Sequence, residues 1–107
     1  MATGRCSVVV ASDGQAAGYG VLDHSFYENG FVSRLYVAPA HRRQGAGQLL
    51  MRHLERLCQI PKLFTSTNLS NLPMQSLLAA LGYTLSGVIH HLDEGDPELI
   101  YVKYLAA

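Results

Sequence analysis

Between Val37 and Gly47 the chain changes its period, and that change limits what it can fold into. Upstream, Ser7–Ala11 (SVVVA), Ala17–Tyr27 and Phe31–Val37 (FVSRLYV) are short runs rich in β-branched, apolar and aromatic residues, which read as strands. Downstream, Leu50, Leu54 and Leu57 recur at helical spacing, with Leu49 and Cys58 beside them. Pro39 closes the last upstream strand and Pro61 stops the helix. Asp13-Gly14 and Asn29-Gly30 are pairs that turn tight hairpins, so the first three strands are predicted to form an antiparallel meander.

After Pro61 the same grammar repeats. Leu63–Thr67 reads as a short strand. Asn71 is placed to cap a second helix whose apolar face is Met74, Leu77, Leu78 and Leu81, with Pro73 in its first turn and Gly82 at its left-handed end. Tyr83–Leu92 and Leu99–Leu105 read as two last strands around an acidic loop, Asp93 to Glu98. The order is β-β-β-α-β-α-β-β. A crossover joins the strands on either side of the first helix, so these two are predicted parallel and the hairpin neighbours antiparallel. The expected fold class is therefore α+β: a mixed, mostly antiparallel sheet with helices packed on it. A length of 107 residues is expected to make one domain, 1–107.

With 49% apolar and 15% charged residues, the composition excludes a disordered chain. Eight basic and eight acidic residues cancel, and there is no tryptophan and no interleaving of arginine with aromatics, so nucleic acid is not an expected partner. The balance hides an asymmetry. Residues 34 to 62 hold Arg34, Arg42, Arg43, Arg52, Arg56 and Lys62 against Glu55 alone, whereas Asp93, Glu94, Asp96 and Glu98 crowd one loop. Cys6 and Cys58 match no metal or redox spacing, and adjacent His90 and His91 on a strand would point to opposite faces, so no metal is expected. No apolar run approaches a membrane span and the N-terminus does not read as a signal peptide. The expectation is a cytoplasmic protein with reduced thiols.

The chemistry concentrates in Leu35-Tyr36-Val37-Ala38-Pro39-Ala40-His41-Arg42-Arg43-Gln44-Gly45-Ala46-Gly47. A strand ends, a proline turn follows, and a helix opens on Arg-Arg-Gln-Gly-Ala-Gly. The first turn of a helix has N–H groups without internal partners, and the macrodipole adds positive potential. Glycine allows an anion close to the backbone, and arginine adds forked donors. The stretch is no dinucleotide fingerprint, since Leu50 stands where a third glycine belongs, and no Gly-Lys-Ser/Thr follows. Read bare, it is either a phosphate site or a loose helix start with two tolerated glycines.

Val37-x-Pro39-x-x-Arg42-x-x-Gly45-x-Gly47 before an amphipathic helix resembles the acetyl-CoA signature of the GNAT superfamily of N-acetyltransferases. Asn71, the helix after it and Leu81-Gly82-Tyr83 resemble that superfamily's next segment, and the element order matches the latter part of its fold. The resemblance implies a direct transfer of acetyl from acetyl-CoA to a primary amine. The backbone of Leu35, Tyr36 and Val37 would pair with the pantetheine arm as an added strand, where the parallel strands of this fold splay apart. A backbone N–H there would polarise the thioester carbonyl. Arg42, Arg43, Gln44, Gly45, Ala46 and Gly47 would hold the pyrophosphate. Asn71 would contact the pantetheine, a role compatible with capping its helix.

The sequence departs from the family at two points. The tyrosine usually found seven residues after that asparagine, which protonates the departing thiolate, is Leu78 here, and the catalytic residues stay unassigned. Ser66, Tyr36 and Tyr83 are the replacements nearest in sequence; a thiol of pKa near 8.5 can also leave with help from water. The chain also starts on what resembles the family's second strand, which implies an open acceptor side or one completed by another subunit, hence a homodimer. Asp23, His24, Glu28 and the Asp93–Glu98 loop are candidates for meeting the acceptor amine. His53 reads as a partly buried structural histidine, and Tyr101 and Tyr104 as sheet packing or an interface. The alternative reading is a CoA-binding module without transferase activity.

Overall fold

The structure is a computed structural model and describes residues 5–10, 16–39, 42 and 45–105. Strands β1 (Arg5–Val10), β2 (Ala16–Phe26) and β3 (Asn29–Val37) precede helix α1 (Ala46–Leu57). Strand β4 (Lys62–Asn68), helix α2 (Leu72–Ala80), β5 (Thr84–Ile89) and β6 (Glu98–Tyr104) follow. This is the β-β-β-α-β-α-β-β order expected from the sequence. The strands form one sheet in the order β1-β2-β3-β4-β6-β5. β3 and β4 are parallel, and every other neighbouring pair is antiparallel. The mixed, mostly antiparallel α+β fold is as predicted. β6 lies between β4 and β5, so the long pairing of β4 is with the last strand rather than with β3.

Both helices bury their apolar faces in one core. Leu22, Val32 and Leu63 from the sheet meet Met51 and Leu54 of α1, together with Leu78, Leu81 and Tyr83 from the second helical segment. α1 approaches β2 closely over Gly20, where an added Cβ would lie 2.7 Å from a Leu54 methyl. Asn71 caps α2, its Oδ1 accepting from the Met74 N–H at 3.2 Å. The other end closes as a left-handed cap: Gly82 has φ +91, and the Tyr83 N–H donates to the Leu78 carbonyl at 2.9 Å.

The second hairpin turn differs from expectation. The reversal falls on Tyr27 and Glu28, at φ +48 and +65, while Asn29 and Gly30 already belong to β3. Two-residue hairpin loops of this type need positive φ at both central positions. The register is set by aromatic packing, since Phe26 lies 4.8 Å from the Phe31 ring and 5.2 Å from the Phe64 ring. Asn29 supports the turn with its side-chain N–H, which donates to the Tyr27 carbonyl at 3.1 Å. The Asp13-Gly14 turn lies outside the described residues. His53 is exposed rather than partly buried, because it sits off the Leu50/Met51/Leu54 face of α1. His90 and His91 both lie beyond the end of β5, and His91 pairs with Glu94 at 3.6 Å on the surface.

Candidate active site

The parallel pair β3/β4 shares only three rungs: Gly30 with Leu63, Phe31 with Phe64, and Val32 with Thr65. At the last rung the buried Thr65 hydroxyl donates to the Val32 carbonyl at 3.1 Å. Beyond it the strands part. β3 runs on through Arg34, Leu35, Tyr36 and Val37 paired with β2 alone, and β4 runs on through Ser66, Thr67 and Asn68 paired with β6 alone. The wedge between them is a cleft of about 270 Å³ whose lining includes Tyr36, Tyr19, Ser66, Asn68, Asn71 and Glu98. Among the described residues its β3 wall is a strand edge with no neighbouring strand, an arrangement that can hydrogen-bond an extended amide-bearing chain.

At the mouth of the wedge, β3 leads to the start of α1. Gly45 is the residue before the helix, with φ +83 and ψ 4, in the left-handed region. A Cβ there would meet nothing within 4 Å, so glycine is required by backbone conformation rather than by crowding. Gly47 differs: its Cβ would come within 3.2 Å of Leu77, so it lets α2 pack against the first turn of α1. The first turn carries no acidic residue, which leaves its N–H groups and the dipole uncompensated by charge. Arg42 folds back on the strand end. Its Nε donates to the Val37 carbonyl at 3.0 Å and its guanidinium lies 6.0 Å from the centre of the Tyr36 ring. Tyr36 in turn packs on Tyr19, its cross-strand partner, at 5.7 Å.

The structure therefore brings together most of the residues singled out in the sequence. Leu35, Tyr36 and Val37 form the edge that β4 leaves unpaired, Arg42, Gly45, Ala46 and Gly47 lie at its helix-start end, and Asn71 lines the opposite wall. Arg43 and Gln44 lie outside the described residues. Sequence reasoning did not single out Tyr19 or Asn68 for this site; the antiparallel register that sets Tyr19 opposite Tyr36 was the available signal for the first.

Other candidates do not reach the cleft. Leu78 is fully buried in the core. Tyr83 is buried against α1, where its hydroxyl donates to Glu55 at 2.8 Å, with the Lys103 ammonium 5.5 Å from its ring. Burial first, and then the Glu55 carboxylate, raise its phenol well above the ordinary tyrosine range. Asp23, His24 and Glu28 lie at the hairpin end of β2 and β3, where His24 Nε2 accepts from the Gln59 N–H at 3.5 Å. A larger hollow of about 530 Å³, lined by Arg52, Glu55, Arg56 and Cys58, lies at the C-terminal end of α1 and shares no residue with the cleft.

The acidic loop is mostly structural. Asp96 accepts from the Ser70 hydroxyl at 2.7 Å and from the Ser70 N–H at 3.0 Å, and Asp93 accepts from the Asn68 amide at 3.0 Å. The loop thereby clamps the connection from β4 to α2. Among the described residues no group of three or more potential ligands could hold a metal ion, and no helix is long and apolar enough to cross a membrane.

The sequence model of the Acetyltransferase (GNAT) family matches residues 2–83. A GNAT-family acetyltransferase from Bacillus cereus ATCC 10987 is 35% identical and superposes with a TM-score of 0.89 over 96% of this chain and 72% of its own. Nourseothricin acetyltransferase is 26% identical with a TM-score of 0.87, over 96% and 66%. A Bacillus anthracis str. Ames protein assigned as a streptothricin acetyltransferase, in complex with acetyl coenzyme A, shares the fold at 13% identity and a TM-score of 0.87, over 96% and 63%. The chain thus spans between 63% and 72% of the length of these three structures. No curated protein matches it. The chain belongs to the GNAT acetyltransferase family, whose members use acetyl-CoA.

Proposed function

We propose that this chain is an acetyl-CoA-dependent N-acetyltransferase that moves the acetyl group directly to a primary amine. The observation that carries this is the parting of β3 and β4 after Val32 and Thr65. The free edge from Leu35 to Val37 pairs with the pantetheine arm, and a backbone N–H of that edge polarises the thioester carbonyl. Arg42, Arg43, Gln44, Gly45, Ala46 and Gly47 hold the pyrophosphate, and Asn71 meets the arm while its Oδ1 caps α2.

Transfer needs no covalent enzyme intermediate, and Cys58 lines the other hollow. Leu78 lies in the core and Tyr83 is held by Glu55, so the leaving thiolate takes its proton from water, with Tyr36 and Ser66 the hydroxyl candidates that line the cleft. The chain acts as one domain, 1–107, in the reducing cytoplasm, and works as a homodimer. Support for the dimer is β1, an outer strand of the sheet whose second edge no described strand covers.

Calorimetric titration with acetyl-CoA, followed by thiol release in the presence of primary amines, tests the reading. Tight binding with amine-dependent release is expected. Binding without release of thiol by any amine identifies a CoA-binding module instead, and no binding overturns the site. A monomeric mass in light scattering, with full activity, overturns the dimer.

A further inference from the structure

We infer that Glu98 is the proton acceptor for the incoming amine. This rests on the acetyltransferase reading and adds a residue to it. Four carboxylates lie between Asp93 and Glu98: Asp93 accepts from Asn68, Asp96 accepts from Ser70, and Glu94 is exposed beside His91, outside the lining of the cleft. Glu98 is the fourth. It opens β6, paired with Asn68 of β4 on one side and Ile89 of β5 on the other, and it is half-buried. It is the one carboxylate in the lining of the cleft, and among the described residues no side chain pairs with it.

Among the described residues Arg34 is the one cationic side chain in that lining, which Tyr19 of β2 and Tyr36 of β3 share. From the last shared rung at Thr65 to Asn68, the partner of Glu98, is three residues, or about 10 Å of strand. Leu35 lies three residues beyond the same rung on β3, so Glu98 lines the cleft level with the edge proposed to polarise the thioester, and a bridging water carries the proton to it.

The step balances as follows. An ammonium of the acceptor gives one proton to the Glu98 carboxylate, directly or through that water, and becomes a neutral amine. Its lone pair forms the C–N bond at the acetyl carbon. The C–S bond then breaks with its electron pair going to sulfur, and the second nitrogen proton passes through water to the thiolate. Glu98 returns its proton to solvent.

The test compares the parent with Glu98→Gln and Glu98→Asp at pH 7.5, using two probes: an alkylamine of pKa about 10.4 and a peptide α-amine of pKa about 7.7–8.0. For Glu98→Gln, kcat/KM with the alkylamine is expected to fall about 10²-fold or more, at unchanged acetyl-CoA affinity by calorimetry. The loss is expected to be smaller with the α-amine, a larger share of which is already neutral, and to shrink for both probes as pH rises. Glu98→Asp recovers part of the rate. A fall equal for both probes and flat with pH reveals a structural role and overturns the inference, as does a kcat/KM within twofold of the parent. Turnover of neither probe by a parent protein that binds acetyl-CoA also overturns it and leaves the acetyl-CoA site standing. Failure of the parent to bind acetyl-CoA removes both.

Discussion

The Thr65 hydroxyl donates to the Val32 carbonyl on the last rung shared by the two parallel strands. One hydrogen bond thus marks the vertex of the wedge: below it β3 and β4 are a sheet, and above it they are two walls. Thr65→Val keeps the shape and removes the donor. It is expected to destabilise the fold by about 1–3 kcal/mol, because a buried carbonyl loses its partner, and to weaken acetyl-CoA binding by loosening the vertex. A urea midpoint and an acetyl-CoA affinity both equal to the parent's contradict this.

Gly45 stands at φ +83 immediately before α1. Gly45→Val forces a branched residue into the left-handed region, at about 1–2 kcal/mol, and sets a side chain where the phosphates approach. Acetyl-CoA affinity is expected to fall at least tenfold by calorimetry. Gly45→Asn, which tolerates that conformation better, should recover stability more than affinity. Equal affinity in Gly45→Val and the parent would sink the assignment of the phosphate end.

Tyr83 holds its proton in the folded chain to a higher pH than in the unfolded chain, where a tyrosine ionises near 10. Its contribution is whole below that pH. As pH rises above about 10 the unfolded chain releases a proton that the folded chain retains, and stability falls. Denaturation midpoints between pH 9 and 11 should therefore drop more steeply for the parent than for Tyr83→Phe. At neutral pH Tyr83→Phe is expected to lose about 1–2 kcal/mol through Glu55 while kcat stays unchanged. A large fall in kcat at unchanged acetyl-CoA affinity means that the phenol reaches the reaction after all.

Leu78→Tyr is a test of position. From spacing alone, a tyrosine there would restore the acid that the family normally carries, and its expected effect is a modest gain in turnover or none. Leu78 is instead fully enclosed by the core, so the larger ring overpacks it. The expected outcome is a loss of about 1–3 kcal/mol in thermal or chemical denaturation, with no gain in turnover. Faster turnover at unchanged stability contradicts that placement.

What the sequence made legible was whatever depends on neighbours along the chain. Asn71 as a cap, Gly82 as a left-handed end and the change of period before α1 are local signals, and each one held. The β-β-β-α-β-α-β-β order was legible for the same reason. Contacts between distant segments were not. Asn29-Gly30 reads as a turn, but the Phe26, Phe31 and Phe64 rings fix a register that moves the reversal to Tyr27 and Glu28. Tyr83 was a candidate acid until its partner on α1, Glu55, could be seen. Asp93 and Asp96 read as bait for an amine, but they belong to the clamp on Asn68 and Ser70. Gly47 sits in the motif beside Gly45, yet its lack of a side chain serves Leu77 of the second helix.

The insertion of β6 between β4 and β5 also governs when the site can come into being. During synthesis, the far wall of the wedge is made at β4, but β4 beyond Thr65 has only β6 to hold it, and β6 emerges last of the described elements. Until residues 98–104 clear the ribosome, that wall is an unsupported edge. A nascent chain can carry the whole Arg-Arg-Gln-Gly-Ala-Gly stretch and still have nowhere to seat a thioester. Competence therefore waits on β6, and a chain cut short before Glu98 has the motif without the cleft.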